Sequence, residues 1–437
     1  MIRIYVPQIT ERLRYIFHYV FDERWGMPYD LTDNKEAFRH DPHPRKIIYA
    51  PQNENGTFYL QALPLLFQTD IKKQNLSLTW QQDMPLCFQT DDKTSLLPFD
   101  VFAACFYFLS RYEEYLTPDY DAHGRYPAEN SFAFQNKLMH LAIVDRWIDS
   151  LAAVLKSHFA DLTFKQKPFT FIPTYDIDVA YAYQNKGFCL TLAGYAKHLL
   201  KGEFQHIKER TAVLSGKQPD PYNNFDYLEA LHAKYALHPY YFVLFAARSR
   251  FDKNADINNE NFISLINKLK ENANIGLHAS YASSFDKKEL LQKEKQSLEK
   301  AINTSITASR QHYLRVRLPD TYDNLQANHI LHDYSMGYVS RAGFRAGTCH
   351  SFLFFDLQKN TSTSLRIHPL LFMENAFTQR NDTHAKSLWE YVKPYVDEVK
   401  KHKGELITLF HNQSFAQDKQ HTPIKTLYET LIHYVLS

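Results

Sequence analysis

Glycine is unusually scarce in this chain, with 12 in 437 residues against 32 Phe and 29 Tyr. Soluble proteins carry about 7% glycine, and no G-x-G-x-x-G or G-x-x-x-x-G-K-[ST] occurs anywhere in the sequence. Nucleotide binding through Gly-rich phosphate loops is therefore not expected. Cysteine is rarer still, with four. Cys87, Cys105, Cys189 and Cys349 are far apart and form no C-x-x-C, which argues against a disulfide framework and against a Cys zinc site. No apolar run approaches the ~18 residues of a membrane span. The opening Met1-Ile2-Arg3-Ile4-Tyr5-Val6-Pro7 lacks the basic and apolar regions of a secretory leader, so a cytoplasmic, reduced protein is the expectation. An excess of one charge sign is missing too: 50 basic and 48 acidic residues give +2. The two signs look interspersed, which leaves no basic face for nucleic acid.

What is present is apolar and aromatic. Hydrophobic residues make up 44% of the chain and aromatics 15%, enough to build a large core, and the length favours two domains. Residues 1–165 read as a mixed α/β segment. At its centre Asp100 is a plausible N-cap for a buried helix running from Val101. Arg111, Glu113 and Glu114 near the end of that helix read as a structural ion pair. From about residue 166 the pattern changes to short β-rich runs alternating with long polar helices. The expected strands are 169–175, 240–245, 274–277, 313–316, 364–368 and 405–411, with helices over 287–303 and 385–402 among them. Strand–helix alternation predicts parallel βα units in one sheet or barrel.

Functional residues in such folds sit at strand C-terminal ends. Four ends carry chemistry: Asp176-Ile177-Asp178, His278-Ala279-Ser280-Tyr281, Arg310-Gln311-His312 and His411-Asn412. Singly these are weak, since an Asp after a strand often caps a turn and a lone His is more often structural. Together they suit a divalent metal with one anionic oxygen and two neutral nitrogens, beside a free acid and a free base.

The order Thr174-Tyr175-Asp176-Ile177-Asp178, Gly276-Leu277-His278-Ala279-Ser280, Arg310-Gln311-His312, Asp333-Tyr334-Ser335 and Leu409-Phe410-His411-Asn412 resembles the NodB-type polysaccharide deacetylases, carbohydrate esterase family four, over residues 166–437. Residues 1–165 resemble the accessory domain of unknown function that precedes a divergent branch of that family. Gly343-Phe344-Arg345-Ala346-Gly347-Thr348 and Ile367-His368-Pro369 point to the same branch. The resemblance implies a distorted (β/α) barrel that removes acetyl groups from an acetylated carbohydrate with a bound Zn, or Ni or Co in its place. It makes Asp176 the general base, Asp178 and His278 metal ligands, and His411 the general acid with His368 as rival. Arg310 or Arg345 would hold Asp176, and Ser280, Tyr281, Asp333, His368 and Asn412 would line the substrate.

One position departs from the family. Ala282 stands where the His-[Ser/Thr]-x-x-His motif has its second ligand. Three outcomes are open: His312 fills the vacancy, water fills it, or the metal is lost. His312 is preferred because it sits where the family carries its Arg-containing motif, and Arg310 can still provide the cation. Two other functions compete. A barrel that has lost its metal could be catalytically silent and act by binding a glycan or a partner. The strand followed by Asp176-x-Asp178 also fits a haloacid-dehalogenase-like phosphatase, although no late acidic pair for Mg²⁺ follows it.

Overall fold

The computed structural model describes residues 1–53, 58–116, 119–165, 167–285, 287–378, 385–416 and 421–437. They form two compact units whose segments interleave along the chain, in place of the two contiguous ranges, 1–165 and 166–437, expected from the sequence. The first unit comprises Met1–Thr170, Gly343–Pro369 and Asp397–Glu405. The second comprises Phe171–Ala342, Leu370–Val396 and Leu406–Ser437. Among the described residues no helix is long and apolar enough to cross a membrane.

In the first unit the strands Tyr29–Thr32, Ile2–Tyr5, Lys46–Ala50 and Tyr59–Gln61 form a four-stranded sheet in that order, all in parallel pairs. The helix Val101–Leu109 buries every one of its residues, because its sequence VFAACFYFL offers no polar face. Asp100 caps it, accepting the Ala103 N–H at 2.9 Å and the Tyr49 hydroxyl at 2.8 Å. Phe17, Tyr49 and Trp147 pack edge-on to its phenylalanines, with Phe17 and Phe102 centroids 4.5 Å apart. Aromatic abundance is thus spent on core packing here. At the end of the helix, Arg111 pairs with Glu113 and Glu114 at 2.8 Å each, and Arg345 grips Glu114 from the other side at 2.8 Å. Two buried cations meet two buried carboxylates, so the charges compensate.

The expected strand 364–368 is Thr361–Ile367. It pairs antiparallel with Phe352–Asp356 and belongs to the first unit. Its sequence TSTSLRI alternates between the two faces, which suits a ribbon with one wet side better than a parallel strand covered on both.

The second unit carries seven strand segments in the order His332–Asp333, Ala308–Gln311, Asn274–Ala279, Tyr240–Leu244, Thr170–Ile177, Glu405–His411 and Phe372–Met373. The pairs whose direction is defined within this unit are all parallel. The expected strand 313–316 is displaced to Ala308–Gln311, because Tyr313 and Leu314 adopt φ of 62° and 50° and turn the chain out of the sheet. The edges of the sheet approach each other, since the Leu370 N–H donates to the Met336 carbonyl at 3.0 Å. Phe242, Ala308, Tyr334, Leu370, Met373, Ile407 and Leu409, drawn from both halves of the sheet, share one apolar cluster on its inner face.

Gly276 sits in this cluster's layer, where a Cβ would lie 2.5 Å from the Phe242 ring and 3.1 Å from the Ala308 carbonyl. Overpacking of this kind costs about 1–3 kcal/mol. Gly276→Ala should therefore lower the melting temperature by several degrees, read by circular dichroism. An unchanged melt would mean that the inner face is loosely filled.

Candidate active site

Side chains alternate along a strand, so residues two apart share a face. Starting from the apolar cluster, Ala308 leads to Arg310 and His312, Gly276 to His278, and Leu409 to His411; Thr174 leads on the next strand to Asp176 and Asp178. The register fixes their level: Arg310 lies opposite His278, and His278 opposite Leu244. The inner face thus passes from hydrocarbon to a ring of charged groups at the strand C-terminal ends.

Asp178 is the centre of the ring. His278 Nε2 is 3.2 Å from its Oδ1, while His312 Nε2 and His411 Nε2 are 3.3 and 3.4 Å from its Oδ2. The far nitrogen of each imidazole is anchored. His278 Nδ1 lies 3.0 Å from the Arg310 carbonyl, His312 Nδ1 2.8 Å from Asp252, and His411 Nδ1 2.5 Å from Glu374. A carbonyl only accepts, so His278 carries a proton on Nδ1, which leaves Nε2, facing the carboxylate, as the nitrogen that can ligate. Asp178 Oδ1 correspondingly has no hydrogen bond although it is buried. A neutral His278 would set its Nε2 lone pair against an anion, an arrangement that calls for a cation between them.

The spacing fits a metal ion. Bonds of 2.0–2.1 Å to nitrogen and oxygen in a tetrahedral site place neighbouring ligand atoms about 3.3–3.4 Å apart. Ligand atoms of Asp178, His278 and His312 all lie within 4.8 Å of one another. The anchors at Nδ1 are the outer partners that orient metal-binding imidazoles. Without a cation the burden falls on protons. Burial alone would lift the Asp178 carboxyl, but His312 and His411 outweigh it and hold it well below the usual range. Burial likewise opposes charge on His312, yet Asp178 and Asp252 push it up to about 9.

Asp176 stands beside this group, its Oδ1 taking the Arg310 Nη1–H at 2.9 Å and its Oδ2 lying 3.5 Å from His278 Nε2. Arg310 is fully buried, donates to the Tyr334 carbonyl at 2.9 Å and lies 4.4 Å above the Phe242 ring. Glu374 also accepts from Ser414 Oγ at 2.8 Å and from the His411 backbone N–H at 2.9 Å.

The structure thus gathers Asp176, Asp178, His278, Arg310, His312 and His411. Other expected site residues serve elsewhere. Arg345 is committed to Glu114 in the first unit, so Arg310 alone of the two candidate cations meets Asp176. His368 also belongs to the first unit, where it lies 3.3 Å from Glu405. Ser280 caps the buried Glu294, which accepts its N–H and hydroxyl. Asp333 is fully buried and accepts from Tyr322 and Ser335. Asn412 braces the Val179 and Tyr222 carbonyls. Tyr281 is half-buried and already stacked on Phe251 and Arg315. Short polar side chains beside strand-end motifs are the groups that satisfy loop backbone, which is why sequence proximity misled. Asp252 and Glu374 were not anticipated. Asp252 lies well past its strand, in a loop, and Glu374 follows a strand of two residues.

A second cluster, Asp145, Cys349 and His350, has similar composition in the first unit. Its groups are already paired: Arg24 binds Asp145, the Cys349 thiol donates to Asp145 at 3.3 Å, and His350 Nε2 donates to the His402 carbonyl at 3.0 Å. Burial keeps the thiol protonated and lowers His350 to about 4, so this is a hydrogen-bonded network without an unsatisfied anion.

Residues 2–160 match a family described as Family of unknown function (DUF7033). No curated protein matches the chain. Among solved structures, a provisional polysaccharide deacetylase from Mycobacterium smegmatis aligns at 11% identity over 62% of this chain and 86% of its own, with a TM-score of 0.40. The Puue allantoinase aligns at 9% over 60% and 83%, with a TM-score of 0.38. The peptidoglycan deacetylase PdaC from Bacillus subtilis aligns at 13% over 61% and 85%, with a TM-score of 0.28. These likenesses are distant, and the chemistry of the site rests on its own atoms.

Purified protein stripped of metal should take up one Zn²⁺ per chain. His312→Ala should abolish high-affinity uptake, and Asp252→Asn, which removes an outer anchor, should weaken it about 10–100-fold, both read by competition with a chromogenic chelator. Full affinity in His312→Ala would exclude His312 as a ligand.

Proposed function

We propose that the second unit is a metal-dependent hydrolase, built as a distorted (β/α) barrel, that removes acetyl groups from an acetylated carbohydrate. The observation that carries this reading is the convergence on one point of an anionic oxygen and two imidazole nitrogens, flanked by a separately anchored carboxylate and a separately anchored imidazole.

Asp178, His278 and His312 would hold Zn²⁺. When bound, such an ion polarises the acyl oxygen and makes water acidic enough to act near neutral pH. The chain's own groups complete the reaction. Asp176 serves as general base: Arg310 fixes one of its oxygens, and the other faces the site, placed to accept the proton of the attacking water. His411 serves as general acid. Glu374 holds its Nδ1, so Nε2 presents a proton to the departing amine or alkoxide as the bond to the acyl carbon breaks. Arg310, clamped between Phe242 and the Tyr334 carbonyl, is a positioning residue for Asp176.

Neither competing function draws equal support. Mg²⁺ phosphatases bind their ion through oxygens, whereas three imidazoles surround Asp178. A silent barrel would leave an unsatisfied buried carboxylate oxygen with no purpose. The first unit is proposed as an accessory domain.

Zn-loaded protein should release acetate from a panel of N- and O-acetylated sugars. Asp176→Asn and His411→Ala should each cut the rate about 10²–10⁴-fold, with metal content unchanged by atomic absorption. No acetate from any sugar with a loaded site, or full activity in Asp176→Asn, would overturn the assignment.

A further inference from the structure

The proposed reaction leaves two helices of the second unit unused. Gly187–Leu200 and Phe204–Leu214 form a hairpin, and the first of them buries none of its residues. Its sequence, GFCLTLAGYAKHLL, is strongly apolar, and a globular helix of that kind would turn such side chains to the core. Instead Phe188 is 77% exposed, Leu200 88% and Phe204 60%. Among the described residues twelve large apolar side chains are exposed, and seven of them fall within residues 188–214. At about 100° per residue, Phe188, Leu192 and Leu199 lie within about 40° of one another, with Lys197 on the opposite side.

Charge is concentrated on the same segment. Residues 186–217 contain six Lys or Arg and two Glu, or +4, whereas the whole chain carries +2. The even mixing of charge read from the sequence fails here, and the rest of the chain is net negative. Arg210, at 5% exposure, is nearly fully buried under the hairpin between Tyr183 and Tyr195, and its Nε and Nη1 make no hydrogen bond. Lys186 lies close enough that burial, Arg210 and Arg248 together bring it down to about 8. The nearby Asp220 is occupied by the backbone N–H groups of Ala182, Tyr183 and Gln184. Lys186, Arg248 and Lys253, with Asp256, line a cleft of about 310 Å³ whose wall includes Val179, the residue after Asp178.

We propose that this hairpin docks the protein on the surface of an anionic phospholipid bilayer. Phe188, Leu192, Leu199, Leu200 and Phe204 enter the boundary between headgroups and acyl chains, and the lysines meet lipid phosphates. An apolar stripe backed by a lysine-bearing face is the signature of a helix that lies in a membrane interface, and basic residues gain from an anionic leaflet. A second copy of the chain fits poorly, because it would set +4 against +4. On the hydrolase reading, the cationic cleft then faces a sugar carried on a lipid phosphate; the docking itself does not depend on that reading.

Vesicles of phosphatidylcholine with about 30% phosphatidylglycerol, sedimented with the full chain, test this. Wild type should bind them, should ignore pure phosphatidylcholine, and should be released at high salt. The double variant Leu199→Glu/Leu200→Glu should lose at least about tenfold in bound fraction with an unchanged melt, because both side chains are exposed. Lys197→Glu/Lys201→Glu should weaken binding as well. Asp176→Asn should bind vesicles like wild type, which separates docking from catalysis. Absence of binding by wild type, or undiminished binding by the leucine variant, overturns the proposal. So does a concentration-dependent dimer that the leucine variant dissociates without any vesicle binding.

Discussion

The second unit is organised around one half-buried carboxylate that faces three imidazoles. Placing Asp178 among His278, His312 and His411 is tolerable only if the charges are balanced by protons or a metal and every outer nitrogen has a partner. The Arg310 carbonyl, Asp252 and Glu374 supply those partners. Asp252 is in turn held by Ser249 Oγ at 2.6 Å, and Glu374 by Ser414. The requirement reaches into the sheet: a one-residue slip of any strand would turn its site residue to the opposite face. The apolar cluster beneath resists such slips, because the same strands place Ala308 and Leu409 two residues below Arg310 and His411.

The contrast with Asp145, Cys349 and His350 shows what separates a metal-competent cluster from a structural one. Both contain an acid and nitrogen or sulfur neighbours. In the structural cluster each group already has a hydrogen-bond partner, and Arg24 supplies the missing cation. Around Asp178 the imidazoles are anchored from behind and their inner nitrogens converge, leaving Asp178 Oδ1 unsatisfied.

Much of the site was legible in the sequence, because parallel strands deliver their C-terminal residues to one place. Asp176, Asp178, His278, Arg310 and His411 each lie within a few residues of a strand end. His312 is legible although the expected strand lies five residues late; the left-handed turn at Tyr313 and Leu314 that breaks the run has no glycine to announce it. Asp252 and Glu374 escaped notice because single acids outside a motif carry no local signal. Arg345, Asp333, Ser280 and Asn412 were drawn in by proximity to motifs, and sequence spacing cannot tell a side chain that faces a site from one that satisfies buried backbone. The parallel order of the second unit followed from strand–helix alternation. The antiparallel ribbon at Phe352–Ile367 did not, because a strand's direction depends on a partner the local sequence does not name.

The central claim is that Asp178, His278 and His312 bind a metal ion. Anomalous diffraction at the zinc edge from crystals grown with Zn²⁺ tests it most directly. The account predicts one peak enclosed by Asp178, His278 Nε2 and His312 Nε2. No peak there, or a peak between Asp145, Cys349 and His350 instead, would contradict it.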